Sequence, residues 1–175
     1  MRSLTLALAT VTLMVILPTQ VSGQFSVGPF LAYHDDADLG IGGFVGIPLP
    51  AIDEDLSINP SFALFFPDHR GNDRVDVDYW ELNADGVYRF PLENTSITPW
   101  ALAGINIAHG SVAVDSGTLL PTAADDTEIG LNLGGGVTFG TGPMAPFAGV
   151  KFELSGGEGA VIFGGLSFTV GGETN

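Results

Sequence analysis

Residues 128–139 alternate strictly between two kinds of side chain. One face is mostly large and apolar, and the other is mostly glycine with a few polar side chains: Ile129, Leu131, Leu133, Val137 and Phe139, with Gly135, against Glu128, Gly130, Asn132, Gly134, Gly136 and Thr138. A period of two indicates a β-strand, because successive side chains of a strand point to opposite faces of a sheet. The segment therefore predicts a strand with one apolar wall and one small, polar wall.

The same two-faced pattern recurs along the chain up to residue 170. Seven further segments show it, at residues 25–34, 39–48, 56–66, 79–90, 95–108, 147–154 and 160–170. Strands of about ten residues have the length that a tilted strand needs to cross a bilayer. A small, polar face suits a narrow lumen when the large apolar face contacts lipid. We therefore predict an all-β fold, an eight-stranded antiparallel up-and-down transmembrane β-barrel.

The predicted connectors alternate in length and polarity. Those after the first, third and fifth strands are polar or acidic, and the last two of these, residues 67–78 and 109–127, are the longest in the chain. The connectors after the fourth and sixth strands are tight turns. Long loops at one end and short turns at the other are typical of an outer-membrane barrel with both termini in the periplasm.

Aromatic residues concentrate near the ends of the predicted strands. We expect two girdles at the membrane interfaces, where amphipathic rings are favourable, although the preference of aromatic residues for strands is an alternative explanation. The girdle residues would be Tyr33, Phe66, Tyr79 and Trp80 at the loop end, and Phe25, Tyr88, Phe90, Trp100, Phe139, Phe147 and Phe168 at the turn end.

Two prolines conflict with the predicted strands. Pro29 and Pro60 lie inside them, and each removes one ladder hydrogen bond from a barrel that has no free edge. Either local bulges absorb the prolines, or the strands are shorter at these places.

The first 23 residues predict a secretory signal peptide. Arg2 precedes an apolar run at residues 4–17, Pro18 ends the run, and small side chains precede residue 24. The run is short for a membrane span, although an uncleaved N-terminal anchor is the alternative. We therefore divide the chain into a signal peptide, residues 1–23, and an outer-membrane barrel domain, residues 24–175.

Composition narrows the possible functions. The chain of 175 residues suits one domain, and its 20 acidic and five basic residues give a formal charge of −15. This charge disfavours nucleic acid as a partner, because nucleic-acid binding needs a basic face. The absence of cysteine excludes disulfides, thiolate metal sites and cysteine nucleophiles.

Charged side chains fall on the inner wall of the predicted barrel. Arg89 and Lys151 share this wall with Glu81, Asp85 and Glu153. An unpaired ion buried in a narrow lumen is costly, so we predict that these five residues pair in a charge network that plugs and rigidifies the barrel. A gated ion path is the alternative. The predicted polar neighbours of the network are Asn59, Asn83 and Asn132.

No residue set predicts a metal site or a cofactor. The acidic residues of the connectors lack the spacing of a calcium-binding loop, and their simplest role is a solvated, negative surface. We expect His34 and His69 to be solvated loop residues.

His109 and Ser111 are the strongest candidates for catalysis. They resemble the His-x-Ser pair of outer-membrane lipid A deacylases, and Glu128 on the adjacent strand could orient the histidine. Val112 stands where that family typically carries asparagine. We therefore expect no enzyme activity and no catalytic residues, with a lipid A acyl-ester hydrolase as a minor alternative.

Three segments resemble a known family of proteins. TPWALAGINIA, GLNLGGGVTFG and APFAGVKFEL, at residues 98–108, 130–140 and 145–154, look like segments of the small eight-stranded outer-membrane barrels of Gram-negative bacteria. That group includes the OmpX/Ail type and the OmpA transmembrane domain. The resemblance implies an outer-membrane protein with a structural or surface-interaction role and with outer-membrane lipids as partners. It does not identify a surface ligand.

The last predicted strand resembles a barrel-assembly signal. Gly165, Phe168 and Val170 have its spacing, but the final residue of the chain is not aromatic. The resemblance implies that the barrel-assembly machinery is a partner during biogenesis. A soluble exported barrel that binds an apolar ligand inside is the alternative, and it would turn the large apolar side chains inward.

Overall fold

The computed structural model describes residues 24–67, 75–93, 95–114, 122–154 and 159–171. These residues form eight antiparallel strands in which each strand pairs with its neighbours in sequence, and the first strand pairs with the last to close the barrel. None of the described segments is a helix of the length and apolarity that crossing a bilayer requires. The strands are β1 (Phe25–His34), β2 (Asp38–Pro48), β3 (Leu56–Phe66), β4 (Val75–Arg89), β5 (Ile97–Val114), β6 (Thr122–Phe139), β7 (Met144–Leu154) and β8 (Gly159–Val170).

The fold class and the strand order are confirmed. β1 and β3 begin and end at the predicted residues, and the same period of two locates the other six strands. The predicted signal peptide, residues 1–23, lies outside the described residues.

Three strands are longer at the loop end than the sequence pattern predicts. Backbone pairing continues to Val75 in β4, Val114 in β5 and Thr122 in β6. The predicted connectors at residues 67–78 and 109–127 are therefore too long. Valine at positions 75 and 114 favours extended backbone, which explains why the ladder continues through acidic sequence.

Pro29 and Pro60 lie inside strands, and neither a bulge nor a shorter strand accommodates them. β1 keeps a constant register with β8 on both sides of Pro29, and β3 keeps a constant register with β2 on both sides of Pro60. Pairing is interrupted on one side of each proline only. Pro29 lacks a partner on β8 but pairs with Gly43 of β2, and Pro60 lacks a partner on β2 but pairs with Ala84 of β4. Each missing N–H therefore opens a local gap in a single ladder.

Large apolar side chains cover the outer wall of the barrel. Leu31, Ile105, Leu133 and Ile162 are between 51% and 67% exposed, whereas Lys151 on the inner wall is 7% exposed. This orientation is the one expected of a transmembrane barrel. It is the reverse of the orientation expected for a soluble barrel with an apolar interior.

The inner wall also holds a group of aromatic rings in the half of the lumen nearer the turns. The rings contact one another with centroids 5.4 to 6.3 Å apart: Phe30, Phe44, Trp100, Phe147 and Phe163. The inner wall is therefore less dominated by glycine and polar side chains than the sequence pattern suggests.

The prediction that Tyr79, Trp100 and Phe147 belong to the interfacial girdles is wrong. Trp100 and Phe147 lie in the aromatic group of the lumen, and the Tyr79 ring lies 5.5 Å from that of the buried Phe65. Tyr79 is two residues from Glu81, so the period of two places both on the inner wall. The position of an aromatic residue near a strand end therefore does not determine whether its ring lies on the outer or the inner wall of the barrel.

Glycines make room for the Trp100 indole. A Cβ atom at Gly136 or Gly149 would overlap the indole ring, and one at Gly149 would also lie 3.0 Å from the Phe163 ring. Trp100 is on β5, Gly136 is on the neighbouring strand β6, and Gly149 is on β7, the strand after that. Small residues on two strands thus accommodate one large side chain on a third.

We expect Gly149→Ala to lower the free energy of unfolding by about 1–3 kcal/mol, because the new methyl group would overfill the space beside Trp100. Combining it with Trp100→Ala should remove most of that cost. Chemical denaturation in detergent micelles measures all four members of the cycle. Gly43→Ala is the matched control, since the nearest atom to its new Cβ lies 3.6 Å away. Equal costs in both backgrounds would contradict the steric coupling.

Candidate functional site in the barrel lumen

Charged and amide side chains meet in the half of the lumen nearer the loops. β4 contributes Glu81, Asn83 and Asp85, because residues two apart on a strand share one face. β7 contributes Lys151 and Glu153 by the same rule. All five residues are at most 7% exposed. We call these residues, together with Asn132 of β6, the lumen cluster.

Lys151 lies at the centre of the lumen cluster. Its Nζ atom donates hydrogen bonds to Glu81 Oε2 and Asn83 Oδ1, each at 2.9 Å, and lies 2.7 Å from Glu153 Oε1. An ammonium group has three protons to donate, and three acceptors surround it here. Because β4 and β7 are not neighbours in the barrel, these contacts link two walls across the lumen.

Asn132 extends the cluster toward Asp85. Its Nδ2 atom donates to Asn83 Oδ1 and to Asp85 Oδ1, both at 2.8 Å. Asn106 of β5, which the sequence pattern did not single out, is completely buried beside this amide pair, in register with Asn83. Its place on the small, polar face of β5 was the available signal.

Two predicted members lie outside the cluster. Arg89 is exposed at the turn end of β4, where its Nη2 atom donates to the Glu54 carbonyl at 3.0 Å. Asn59 of β3 pairs in register with Asp85, at the turn side of the cluster, and accepts a hydrogen bond from Ser57 Oγ at 2.9 Å. The inner face was predicted for both residues. Arg89 lies too near the turns to reach Lys151, whereas Asn59 lies beside Asp85 but bonds to Ser57 of its own strand.

The expectation that His34 is a solvated loop residue is wrong. His34 ends β1, is 2% exposed, and contacts the rings of Phe65 and Tyr79 at centroid distances of 5.8 and 5.7 Å. Its Nε2 atom is 3.7 Å from Glu153 Oε2 and 4.0 Å from Glu81 Oε1. Alternation along β1 already placed His34 on the inner wall. His69 lies outside the described residues.

A cavity of about 370 Å³ occupies the lumen on the turn side of the cluster. Aromatic rings and hydroxyl groups line it, including Phe30, Trp100, Ser26 and Thr98, and Lys151 reaches its inner end. The lumen therefore has a charged half near the loops and a partly open, mixed half near the turns.

His109 and Ser111 do not form a catalytic triad with Glu128. His109 lies on the outer wall, where its Nδ1 atom is 2.8 Å from Thr127 Oγ1 and its ring packs on Trp80 at 5.2 Å. Glu128 follows Thr127 on β6 and therefore points to the opposite face. The register thus brings a threonine to the histidine in place of the carboxylate that the hydrolase alternative requires.

No protein-family model matches the sequence, and no curated protein matches it either. Among solved structures, the N-terminal β-barrel domain of Pseudomonas aeruginosa OprF is similar with a TM-score of 0.64 and 16% identity, over 86% of this chain and 100% of that one. A major outer membrane protein from Thermus thermophilus gives a TM-score of 0.64 and 12% identity over 84% and 99% of the two chains.

The Yersinia pestis attachment invasion locus protein, Ail, gives a TM-score of 0.54 and 16% identity over 86% of this chain and 100% of that one. The chain has the fold of the small outer-membrane β-barrels. The resemblance noted in the sequence is therefore confirmed at the level of fold. Within this outer-membrane barrel fold, the lumen cluster is the largest group of buried charged side chains among the described residues.

We expect Lys151→Met to lower the free energy of unfolding of this barrel by about 3–5 kcal/mol, because it leaves Glu81 and Glu153 buried without their cation. Adding Glu81→Gln and Glu153→Gln should recover most of the loss. Chemical denaturation in detergent micelles measures both variants. Arg89→Met, which removes an exposed cation, serves as the control and should cost less than about 1 kcal/mol. A cost for Lys151→Met as small as that of the control would contradict the pairing.

Proposed function

We propose that this chain is an integral outer-membrane β-barrel protein with a structural or surface-interaction role and no enzyme activity. The observation that carries the proposal is the exposed apolar outer wall of a closed barrel. In water this wall would be a very large exposed hydrophobic surface, whereas soluble monomers rarely expose patches above a few hundred Å². In a bilayer the same wall is buried in lipid, and closure satisfies the backbone polar groups that lipid cannot bond.

The fold shared with OprF and Ail supports this setting. An apolar run at residues 4–17 supports export through a signal peptide. Phe168 and Val170 point outward at the end of β8, as expected of a C-terminal strand that the barrel-assembly machinery handles. Outer-membrane lipids are then the partners of the outer wall.

The lumen cluster supports a plug in place of a pore. Eight strands enclose a lumen that side chains can fill, and Lys151 joins opposite walls of it. Moving an ion through this half would require it to displace buried ion pairs. The function of the cluster in this proposal is to rigidify the barrel and to block conduction.

The loop end of the barrel carries a negatively charged surface, which supports the proposed surface-interaction role. Asp35, Asp36, Asp78, Asp125 and Asp126 are exposed there. A carboxylate surface repels the phosphate groups of outer-leaflet lipids, so divalent cations would bridge the two. A partner in solution would be cationic or would bind through such ions.

Leu31, the seventh of the ten residues of β1, lies on the outer wall and tests the membrane setting. We expect Leu31→Arg to lower the free energy of unfolding in lipid vesicles by about 2–4 kcal/mol, because it places a charge near the bilayer midplane. Val170→Arg, at the end of β8, is the matched control and should cost roughly 0–1 kcal/mol. Urea titration of vesicle-inserted protein measures both. Equal costs, or a wild-type chain that stays folded and monomeric in buffer without detergent, would overturn the proposal.

Electrical recording in a planar bilayer tests the plug. We expect the inserted wild-type chain to show no sustained ionic current, because the lumen cluster closes the loop-side half. A sixteen-stranded porin recorded in the same membrane provides the positive control, since its lumen is an aqueous channel. A large, steady current from the wild-type chain would refute the plug and leave the membrane setting intact.

A further inference from the structure

Three buried atoms without hydrogen-bond partners converge at the loop side of the lumen cluster. They are His34 Nε2, Glu81 Oε1 and Glu153 Oε2, and none of them has a hydrogen-bond partner within the described ranges. The three side chains are 3%, 1% and 0% exposed. One ligand atom from each side chain lies within 4.8 Å of the other two. Buried polar atoms in native proteins are almost always bonded, so three that face one point require an explanation.

The other oxygen of each carboxylate is already engaged. Glu81 Oε2 and Glu153 Oε1 lie 2.9 and 2.7 Å from Lys151 Nζ. Each carboxylate therefore stands between the ammonium on one side and the imidazole on the other. The arrangement leaves one oxygen of each free to bind a second cation, separated from Lys151 by the carboxylates themselves.

The charge of the lumen cluster is unbalanced. The carboxylates of Glu81, Asp85 and Glu153 face the single ammonium of Lys151, which leaves two negative charges in excess when His34 is neutral. Uncompensated charge is costly in a closed lumen. A divalent cation at the three converging atoms would neutralise the excess.

The geometry points to a binding site for one divalent transition-metal ion of the zinc class, held by His34 Nε2, Glu81 Oε1 and Glu153 Oε2. One imidazole nitrogen and two carboxylate oxygens form a three-ligand set that such ions accept, with a fourth position for water. The Nε2 atom is 3.7 and 4.0 Å from the two oxygens. Ligands of a tetrahedral zinc ion are roughly 3.4 Å apart, and the two carboxylate oxygens lie within 4.8 Å of each other, so modest side-chain shifts complete the set.

The imidazole is also held from its other nitrogen. The Asp36 amide donates to His34 Nδ1 at 3.0 Å, which leaves the neutral ring's proton on Nε2. Metal binding at Nε2 moves this proton to Nδ1, which then donates toward Asp35 Oδ1, 3.3 Å away, and gives up the hydrogen bond from the Asp36 amide. A carboxylate on the second nitrogen is the usual support of a metal-binding histidine. The site goes beyond the proposed membrane role, and it also departs from the sequence-based expectation that the chain has no metal site.

Zinc binding to the full chain, purified in detergent, tests the proposal. Isothermal titration with Zn²⁺ in an excess of Ca²⁺ measures the stoichiometry, since calcium occupies the exposed carboxylates but prefers all-oxygen sites. We expect one equivalent of zinc to bind the wild-type chain and His34→Asn to abolish this binding. The double variant His69→Asn/His109→Asn, which removes the other two histidines of the chain, is the matched control and should keep one equivalent.

X-ray absorption of the zinc-loaded wild-type chain gives a test that needs no variant. We expect one imidazole nitrogen, two carboxylate oxygens and one water oxygen in the first coordination shell. Heat-modifiable mobility on a denaturing gel shows whether each variant still forms a barrel. No zinc uptake by the wild-type chain would overturn the site. Retention of one equivalent by His34→Asn, or a shell without nitrogen, would also overturn it. Neither result would affect the membrane setting.

Discussion

Closure of the hydrogen-bond ladder between β1 and β8 is the constraint on which the rest of this structure depends. It gives every strand two partners, so no row of N–H and C=O groups is left over at an edge within the barrel wall. Once the wall is closed, every second side chain must point into the lumen. The outer wall can then take apolar side chains of any size, whereas the inner wall accepts only what fits and what can be paired.

The inner wall meets these two requirements in different halves of the lumen. Near the turns the restriction is space, and glycines on β6 and β7 leave room for the Trp100 ring. Near the loops the problem is charge, and Lys151 brings together carboxylates from β4 and β7. His34 joins the second half because β1 ends at the same depth. Both halves therefore follow from the narrow, closed lumen, which limits size where the side chains are large and limits charge where they are ionic.

The period of two predicted the strands, their order and the side of the wall for most residues, because alternation is a local property of the chain. It could not predict depth along the barrel, which depends on the register between strands. Arg89 and Lys151 share the inner wall but not the same level, so only Lys151 joins the cluster. Inner aromatic rings were missed for a related reason: the space for Trp100 is created by glycines on other strands. His34 was missed although alternation placed it inward, because the polar residues that follow it suggested a loop.

The extra length of β5 and β6 has a consequence for association between barrels. Within the described residues, positions 122–130 of β6 pair with β5 but not with β7. An 18-residue strand rises roughly 40 Å along a tilted barrel axis, and the apolar band of such barrels is about 25 Å tall. In the proposed membrane setting, the upper part of this sheet stands clear of the bilayer. Among the described residues, β7 does not pair with this margin of β6, so a strand of another molecule could add to it. Asp125, Asp126 and Glu128 place like charges along that margin, and like charges on an exposed edge oppose pairing between two copies of the same strand.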